Sequence, residues 1–371
     1  MELRSRINCP SIKRIAKRLS GAVVYTRYSI FERPPTRGES GSISLDLKKF
    51  PYARYFYSLV KFFQLEGYSV RLSPHLEILH TLRHAEYARR VLKERLIQLE
   101  KPGAGDVILT DHVAAGKQLQ PWDFQCPPSG PGADGAYVIP MSQHPMMYST
   151  GNWNAPLPAG PPRLSMLFIG NNDEVLYSGL SKGGLFNLLD RPTLLEAVRH
   201  SGRHHKATSL ADMDQAGDCR IITIDTGNFS IAPELFRQVM ARHAFFLCAP
   251  GVFMPLCHNL VEAMSAGAIP FIERSYADLL CPPLEHLKNA VIFAGAEDLP
   301  ERIEEAFAMD SDEIAQMKQA VLGYYNQFLT PSAVVASILR PEIKTLYMLA
   351  GKTSLDLRRR LVLATTGQTL L

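Results

Sequence analysis

Long apolar runs are missing from this chain: no window approaches eighteen uninterrupted apolar residues, and the amino terminus carries charges where a signal peptide would have its apolar core. A membrane-spanning helix is excluded on that count, and the expected location is the cytoplasm. Cys-x-x-Cys pairs are missing as well. The six cysteines stand at 9, 126, 219, 248, 257 and 281, a spacing that gives neither a zinc site nor a disulfide framework, so reduced, mostly structural thiols are expected. Neither a Walker loop nor a G-x-G-x-x-G fingerprint occurs, residues 179–184 (GLSKGG) fitting neither, and this removes support for nucleoside triphosphate hydrolysis and for ordinary dinucleotide binding. Strong charge bias is also absent. Forty basic against 36 acidic residues leave a net +4, far less than a nucleic-acid-binding surface concentrates, so no nucleic-acid partner is expected.

What is present is ordinary for a globular chain with room for two domains: 371 residues, 46% hydrophobic and 20% charged. The most informative stretch is 243–273, HAFFLCAPGVFMPLCHNLVEAMSAGAIPFIE. Residues 244–248 form a short apolar run suited to a buried parallel strand. Pro250 and Gly251 break it, residues 258–266 have the spacing of a helix, Gly267 closes that helix, and 268–272 read as the next buried strand. At about 100° per residue, His258, Asn259, Glu262 and Ser265 share one face and Leu260, Val261 and Met264 the other. The polar face is expected at the carboxyl end of the preceding strand, where open α/β sheets bind ligands and a helix amino terminus attracts anions. Two readings of Glu262 stand side by side: an acceptor for ribose hydroxyls, or a solvated helix residue.

These residues carry a resemblance. Pro250-Gly251, followed by Asn259-Leu-Val-Glu262-Ala263-Met264-Ser-Ala-Gly267-Ala-Ile-Pro270, is similar to the nucleotide-sugar signature of GT-B-type glycosyltransferases, closest in style to the exostosin-like branch. The resemblance is specific over about thirty residues and extends loosely from Leu164 to about Ala308, roughly the second half of the chain. It implies that Glu262 binds the ribose of the donor and that the backbone around His258 and Gly251 meets its diphosphate. One departure is plain: the family has an arginine or lysine just before this helix, and here His258 stands nearest. Arg191, in an Arg-x-x-Leu-Leu context like one in exostosin-like chains, and Lys182 are the other candidates for the phosphates, with surface cations as the alternative reading of both.

In the first half, residues 22–25 read as a strand, 27–42 as a loop, 52–65 as a helix ended by Gly67, 68–72 as a strand, 84–99 as one amphipathic helix and 106–110 as a third strand. Asp111 and His112 follow that strand and admit two readings, a catalytic pair in which His112 takes a proton from an acceptor hydroxyl, or a turn-capping pair. His144, after a strand at 136–141, has the same two readings. Lys13, Arg14, Lys17 and Arg18, interleaved with Ile12, Ile15 and Leu19 at helical spacing, form a helix that either packs on the domain or lies peripherally on an anionic membrane.

In the second half, strands are expected at 164–169, ending at Gly170, at 219–224 and at 290–293, with helices at 191–199, 299–309 and 313–328, the last two capped by Asp298 and Ser311. Asp212-Met-Asp214 has the spacing of a metal-binding D-x-D but precedes a strand, so these read as loop residues. Helical material at 332–348 is expected to return to the first domain, by analogy with the family.

The expected architecture is α/β: two Rossmann-like domains in GT-B arrangement with an interdomain cleft. Residues 1–158 form the acceptor domain, 159–340 the donor-binding domain, and 341–371 a helical tail. The proline-rich 155–162 (APLPAGPP) is the connector. The resemblance implies transfer of a sugar from a nucleotide-sugar donor to a hydroxyl of a glycan, lipid-linked or polysaccharide acceptor. The expected site consists of Glu262, Asn259, His258, Gly251, Gly170, Lys182 and Arg191 for the donor and His112 with Asp111 for catalysis, with no metal and no separate cofactor. A nucleotide-sugar epimerase on the same scaffold, or a non-catalytic sugar-nucleotide or glycan-binding protein, are the alternatives.

Overall fold

Two six-stranded, wholly parallel sheets organise the chain. The structure, a computed structural model, describes residues 10–31, 38–113, 115–125, 133–182 and 184–366. Met1–Trp122, Pro127–Ile139 and Pro331–Ala350 make one compact unit, and Asp123–Cys126, Pro140–Thr330 and Gly351–Leu371 the other. The proline-rich stretch 155–162 therefore lies inside the second unit. Both units are Rossmann-like α/β layers.

The first sheet holds β1 (Gly41–Asp46), β2 (Tyr68–Leu72), β3 (Val107–Thr110), β4 (Lys117–Pro121), β5 (Ala136–Val138) and β12 (Thr345–Met348), in the order β2-β1-β3-β4-β12-β5. Several expectations are corrected here. Residues 22–25 are not a strand but the middle of the helix Pro10–Phe31. Val23 and Val24 favour strands locally, yet Val24 and Tyr28 bury one side of a helix, and the Tyr28 hydroxyl donates to Ile97 O at 2.9 Å. Most of β1 lies beyond the loop read over 27–42. Its Ile43 and Leu45 are fully buried, as a strand flanked on both edges requires.

The single helix expected over 84–99 is instead Leu76–His84 and Ala88–Lys93. Gln98 exchanges two backbone hydrogen bonds of 2.8 Å with β2, to Leu72 and Val70, and this edge pairing draws residues 96–99 out of any helix. At the far end, 332–348 is not helical throughout. The helix Pro331–Leu339 gives way to β12, which fills the slot between β4 and β5 and satisfies both edges, with Trp122 N donating to Met348 O and Ile139 N to Tyr347 O. The helix Lys352–Thr366 follows.

The second sheet holds β6 (Arg163–Gly170), β7 (His204–Lys206), β8 (Ile221–Asp225), β9 (His243–Leu247), β10 (Ile269–Glu273) and β11 (Val291–Phe293), in the order β11-β10-β9-β6-β8-β7. Every expected strand of this half is present within a few residues. Phe168, Phe245, Phe246, Phe271 and Phe293 are completely buried, and Phe271 stacks on Phe293 at 5.3 Å. Each such ring is worth about 1.5–3 kcal/mol of burial, which makes this sheet the apolar centre of its unit. The helix His258–Ser265 closes at Gly267, whose φ of +73° suits glycine and few other residues.

Smaller corrections concern caps and cysteines. Asp212 and Asp214 lie on the helix Leu210–Gln215, where Asp212 accepts from Thr208 N at 2.8 Å and pairs with His205 at 3.0 Å. The cap of Ser311–Tyr324 is Asp310 in a capping box with Glu313, and Asp298 sits inside Gly295–Ala308. Cys219, Cys248 and Cys257 are free, but Cys281 is in a disulfide, against the expectation of thiols throughout. No helix among the described residues is long and apolar enough to cross a membrane.

Candidate functional site

In the second sheet the chain runs from β6 to the edge strand β7, returns to β8 beside β6, then resumes at β9 on the other side of β6. The carboxyl ends of β6 and β9 are therefore a topological switch point, the place where an open parallel sheet leaves a crevice between diverging loops. Gly170 ends β6, and Pro250 and Gly251 follow β9, with Gly251 N donating to Pro255 O at 3.1 Å to fold the loop back.

Arg191 joins these two loops. Its Nε and Nη2 donate to Pro250 O at 3.1 and 2.9 Å, its Nη1 donates to Asn171 O at 2.9 Å, and its guanidinium lies 3.7 Å from the centre of the Tyr177 ring. Only 3% of the residue is exposed, and it makes no ion pair among the described residues. A side chain at Gly170 would meet the Phe168 ring at 2.7 Å and Arg191 Nη1 at 3.2 Å, so the glycine makes room for the guanidinium. Arg191 is therefore not the surface cation of the alternative reading: it holds carbonyl oxygens of both loops, and no carboxylate pairs with it among the described residues.

The helix His258–Ser265 begins beside them, and all eight of its residues are buried. The two-faced pattern read from the sequence therefore does not divide solvent from core. His258 Nδ1 lies 2.7 Å from Ser142 O; a carbonyl only accepts, so Nδ1 carries the hydrogen. The Asn259 amide donates through Nδ2 to Ile169 O at 3.4 Å, which turns Oδ1 away from β6, and that oxygen is buried without a hydrogen-bond partner among the described residues. Glu262 is 5% exposed, and its Oε1 accepts the backbone N–H of His144 at 2.9 Å. It is not a solvated helix residue. His144 caps the helix Pro145–Ser149, its Nδ1 accepting from Met146 N, and its ring meets that of His258 edge to face at 5.4 Å. Lys182 ends the short helix Gly179–Lys182.

In the first unit, the expected pair of Asp111 and His112 stands just past β3. Burial pushes the Asp111 carboxyl up, but the N–H groups of Lys48 (2.8 Å), His112 and Lys49 (2.7 Å) outweigh it and hold the group below the usual carboxylate range. Asp111 closes the loop after β1 and takes His112 Nδ1 at 2.9 Å. His112 N donates to Thr110 Oγ1 at 3.2 Å, fixing the ring's base.

Two neighbours of His112 escaped the sequence reading. Asp46 ends β1 and His75 follows β2; His75 Nε2 lies 3.3 Å from Asp46 Oδ1 and His112 Nε2 lies 3.6 Å from Asp46 Oδ2. The available signal was the alternation Ile43-Ser44-Leu45-Asp46-Leu47, a strand whose carboxyl end is Asp46. No signal linked it to His75, because only the sheet order β2-β1-β3 makes their strand ends neighbours.

No family model matches the chain, and no curated protein matches it. Among solved structures it is similar to HepE of Anabaena in complex with UDP, at 11% identity and a TM-score of 0.41, covering 80% of this chain and 98% of that one. It is similar also to a glycosyltransferase from Rickettsia africae, at 8% identity and a TM-score of 0.42, covering 81% and 97%. A third is the glycotransferase of kitacinnamycin, at 10% identity and a TM-score of 0.37, covering 83% and 100%. Likeness of this degree carries no weight in assigning an activity, which has to come from the residues themselves.

Proposed function

We propose that the chain is a GT-B-type glycosyltransferase that takes a sugar from a nucleotide-sugar donor held by the second unit. One observation carries the proposal: at a single switch point, a buried arginine with no ion pair among the described residues holds two loops beside a buried carboxylate and an amide oxygen that has no hydrogen-bond partner among them. A bare buried cation costs free energy that a bound anion offsets, and a diphosphate near the amino terminus of His258–Ser265 supplies that anion. Ribose and sugar hydroxyls supply the donors that Asn259 Oδ1 lacks. Glu262, buried in the same crevice and accepting the His144 N–H, is the acceptor proposed for the ribose hydroxyls. Arg191 is then a positioning residue, shaping the loops and adding field rather than touching phosphate. Gly170 and Gly251 keep both loops close to the ligand; the side chain of Lys182, the other phosphate candidate, lies outside the described part of the structure.

The acceptor side of the same reading falls to the first unit. His112, its Nδ1 held by Asp111, presents Nε2 to take the proton of an acceptor hydroxyl as the glycosidic bond forms and the nucleoside diphosphate leaves. Contact with an anionic bilayer belongs to this proposal through the helix Pro10–Phe31, where Ile15, Leu19 and Val23 are exposed close to Lys13, Arg14, Lys17 and Arg18. The exostosin-like character of the 250–270 stretch is part of it too.

Incubation with a panel of radiolabelled nucleotide sugars tests the reading. Donor hydrolysis or transfer is expected; an epimerised donor, or binding without turnover, would replace it with an epimerase or a binding protein.

A further inference from the structure

The cluster in the first unit has a geometry that proton transfer alone does not explain. Asp111 accepts the Nδ1 hydrogen of His112, which leaves Nε2 as the ring nitrogen available to a ligand, and Nε2 faces Asp46 Oδ2 at 3.6 Å. That gap is too long for a hydrogen bond. His75 Nε2 approaches the other oxygen of the same carboxylate at 3.3 Å, and the three ligand atoms lie within 4.8 Å of one another. Four-coordinate zinc with bonds of about 2.0–2.1 Å separates its ligand atoms by roughly 3.3–3.5 Å. The three side chains thus surround a point that a small divalent cation fits with little movement.

We infer that Asp46, His75 and His112 bind a divalent transition-metal ion, with Asp111 as the outer partner that orients His112. Two imidazoles and a carboxylate favour zinc or a neighbouring first-row ion over magnesium or calcium, which prefer all-oxygen sites. The support is already rigid: Asp111 is held by the N–H groups of Lys48 and Lys49, and the ligands sit at the carboxyl ends of three adjacent strands. His112 and Asp46 are mostly shielded, at 18% and 19% exposure, whereas His75 is 43% exposed, so a fourth coordination position opens to solvent. An ion on His112 Nε2 takes the lone pair that the proposed transfer needs, so metal occupancy and proton removal by His112 exclude each other. That consequence rests on the functional reading above; the binding of the ion does not.

Calorimetric titration of the full chain with zinc, joined to the visible spectrum of the cobalt-loaded protein, tests the site without an activity assay. One-to-one uptake and a four-coordinate cobalt spectrum are expected. His75→Ala should weaken binding at least about tenfold. The side chain of His75 makes no cap bond to the helix it precedes, so the fold should survive, and thermal unfolding without metal checks this. Asp111→Asn should weaken it by about ten- to a hundredfold, the usual outer-partner effect. His80→Ala, which alters a histidine pair elsewhere in the unit, should leave binding unchanged. No saturable uptake, or uptake that His80→Ala abolishes while His75→Ala leaves it intact, would overturn the assignment. Failure of zinc to slow donor turnover by a protein that binds it would leave the site standing and remove His112 as the base.

Discussion

Each unit gathers polar side chains at the carboxyl ends of its parallel sheet, but the two clusters are encoded differently. In the second unit, Pro250, Gly251, His258, Asn259 and Glu262 come from one continuous strand, loop and helix, while Gly170, Lys182, Arg191 and His144 arrive from elsewhere. In the first, Asp46, His75, Asp111 and His112 come from the ends of three strands separated by whole helices. A local motif survives errors in reading its surroundings. A cluster assembled by sheet order does not, because the missed strand β1 removes Asp46, the residue that joins the two histidines.

The contrast can be broken most forcefully at the centre of the second sheet. Phe246→Ala, in a fully buried strand, should cost about 3–5 kcal/mol in chemical denaturation, and a loss below about 1 kcal/mol would mean that the switch point is not built on a packed core.

Next in size is Arg191→Ala. Losing three bonds from a buried guanidinium to Pro250 O and Asn171 O should destabilise by about 3 kcal/mol and weaken donor affinity as the two loops part. Unchanged stability would show that the loops are held by something else.

The third prediction concerns pH and the buried histidine of the second unit. Burial, with Arg163 and Arg242 adding to it, lowers His243 from 6.5 to about 3, and its Nδ1 is bonded to Ser165 Oγ at 2.7 Å. The folded state therefore refuses a proton that the unfolded chain accepts. The stability this contributes is complete above pH 6.5 and is lost as pH falls toward 3, with a slope of up to about 1.4 kcal/mol per pH unit. Denaturation midpoints measured from pH 7 to 4 should show that slope in the wild type and a shallower one in His243→Gln.

How much was legible follows from these particulars. Five strands of the second sheet, β6, β8, β9, β10 and β11, are legible as apolar runs because a parallel strand covered on both faces is mostly apolar, whereas the polar edge strand β7 carries no such signal. The helix at 258 was likewise plain. What could not be read is that Glu262 bonds to His144 N and that Arg191 holds carbonyls, since both depend on chain brought in from a distance. The first unit was harder. Val23 and Val24 favour a strand but pack as a helix, four residues near the carboxyl terminus become β12, and overlooking β1 hid Asp46. In each case tertiary packing or edge pairing overrode the local preference.

Everything proposed for the second unit depends on the Glu262 carboxylate gripping the donor nucleotide. Titrating wild type, Glu262→Ala and Glu262→Gln with the best nucleotide sugar of a panel, in a calorimeter, tests it most directly. Loss of a charged acceptor is worth about 1.5–3 kcal/mol, so affinity should fall about ten- to a hundredfold in Glu262→Ala and less in Glu262→Gln, with thermal unfolding confirming that both remain folded. Equal affinity in all three folded proteins would contradict the claim.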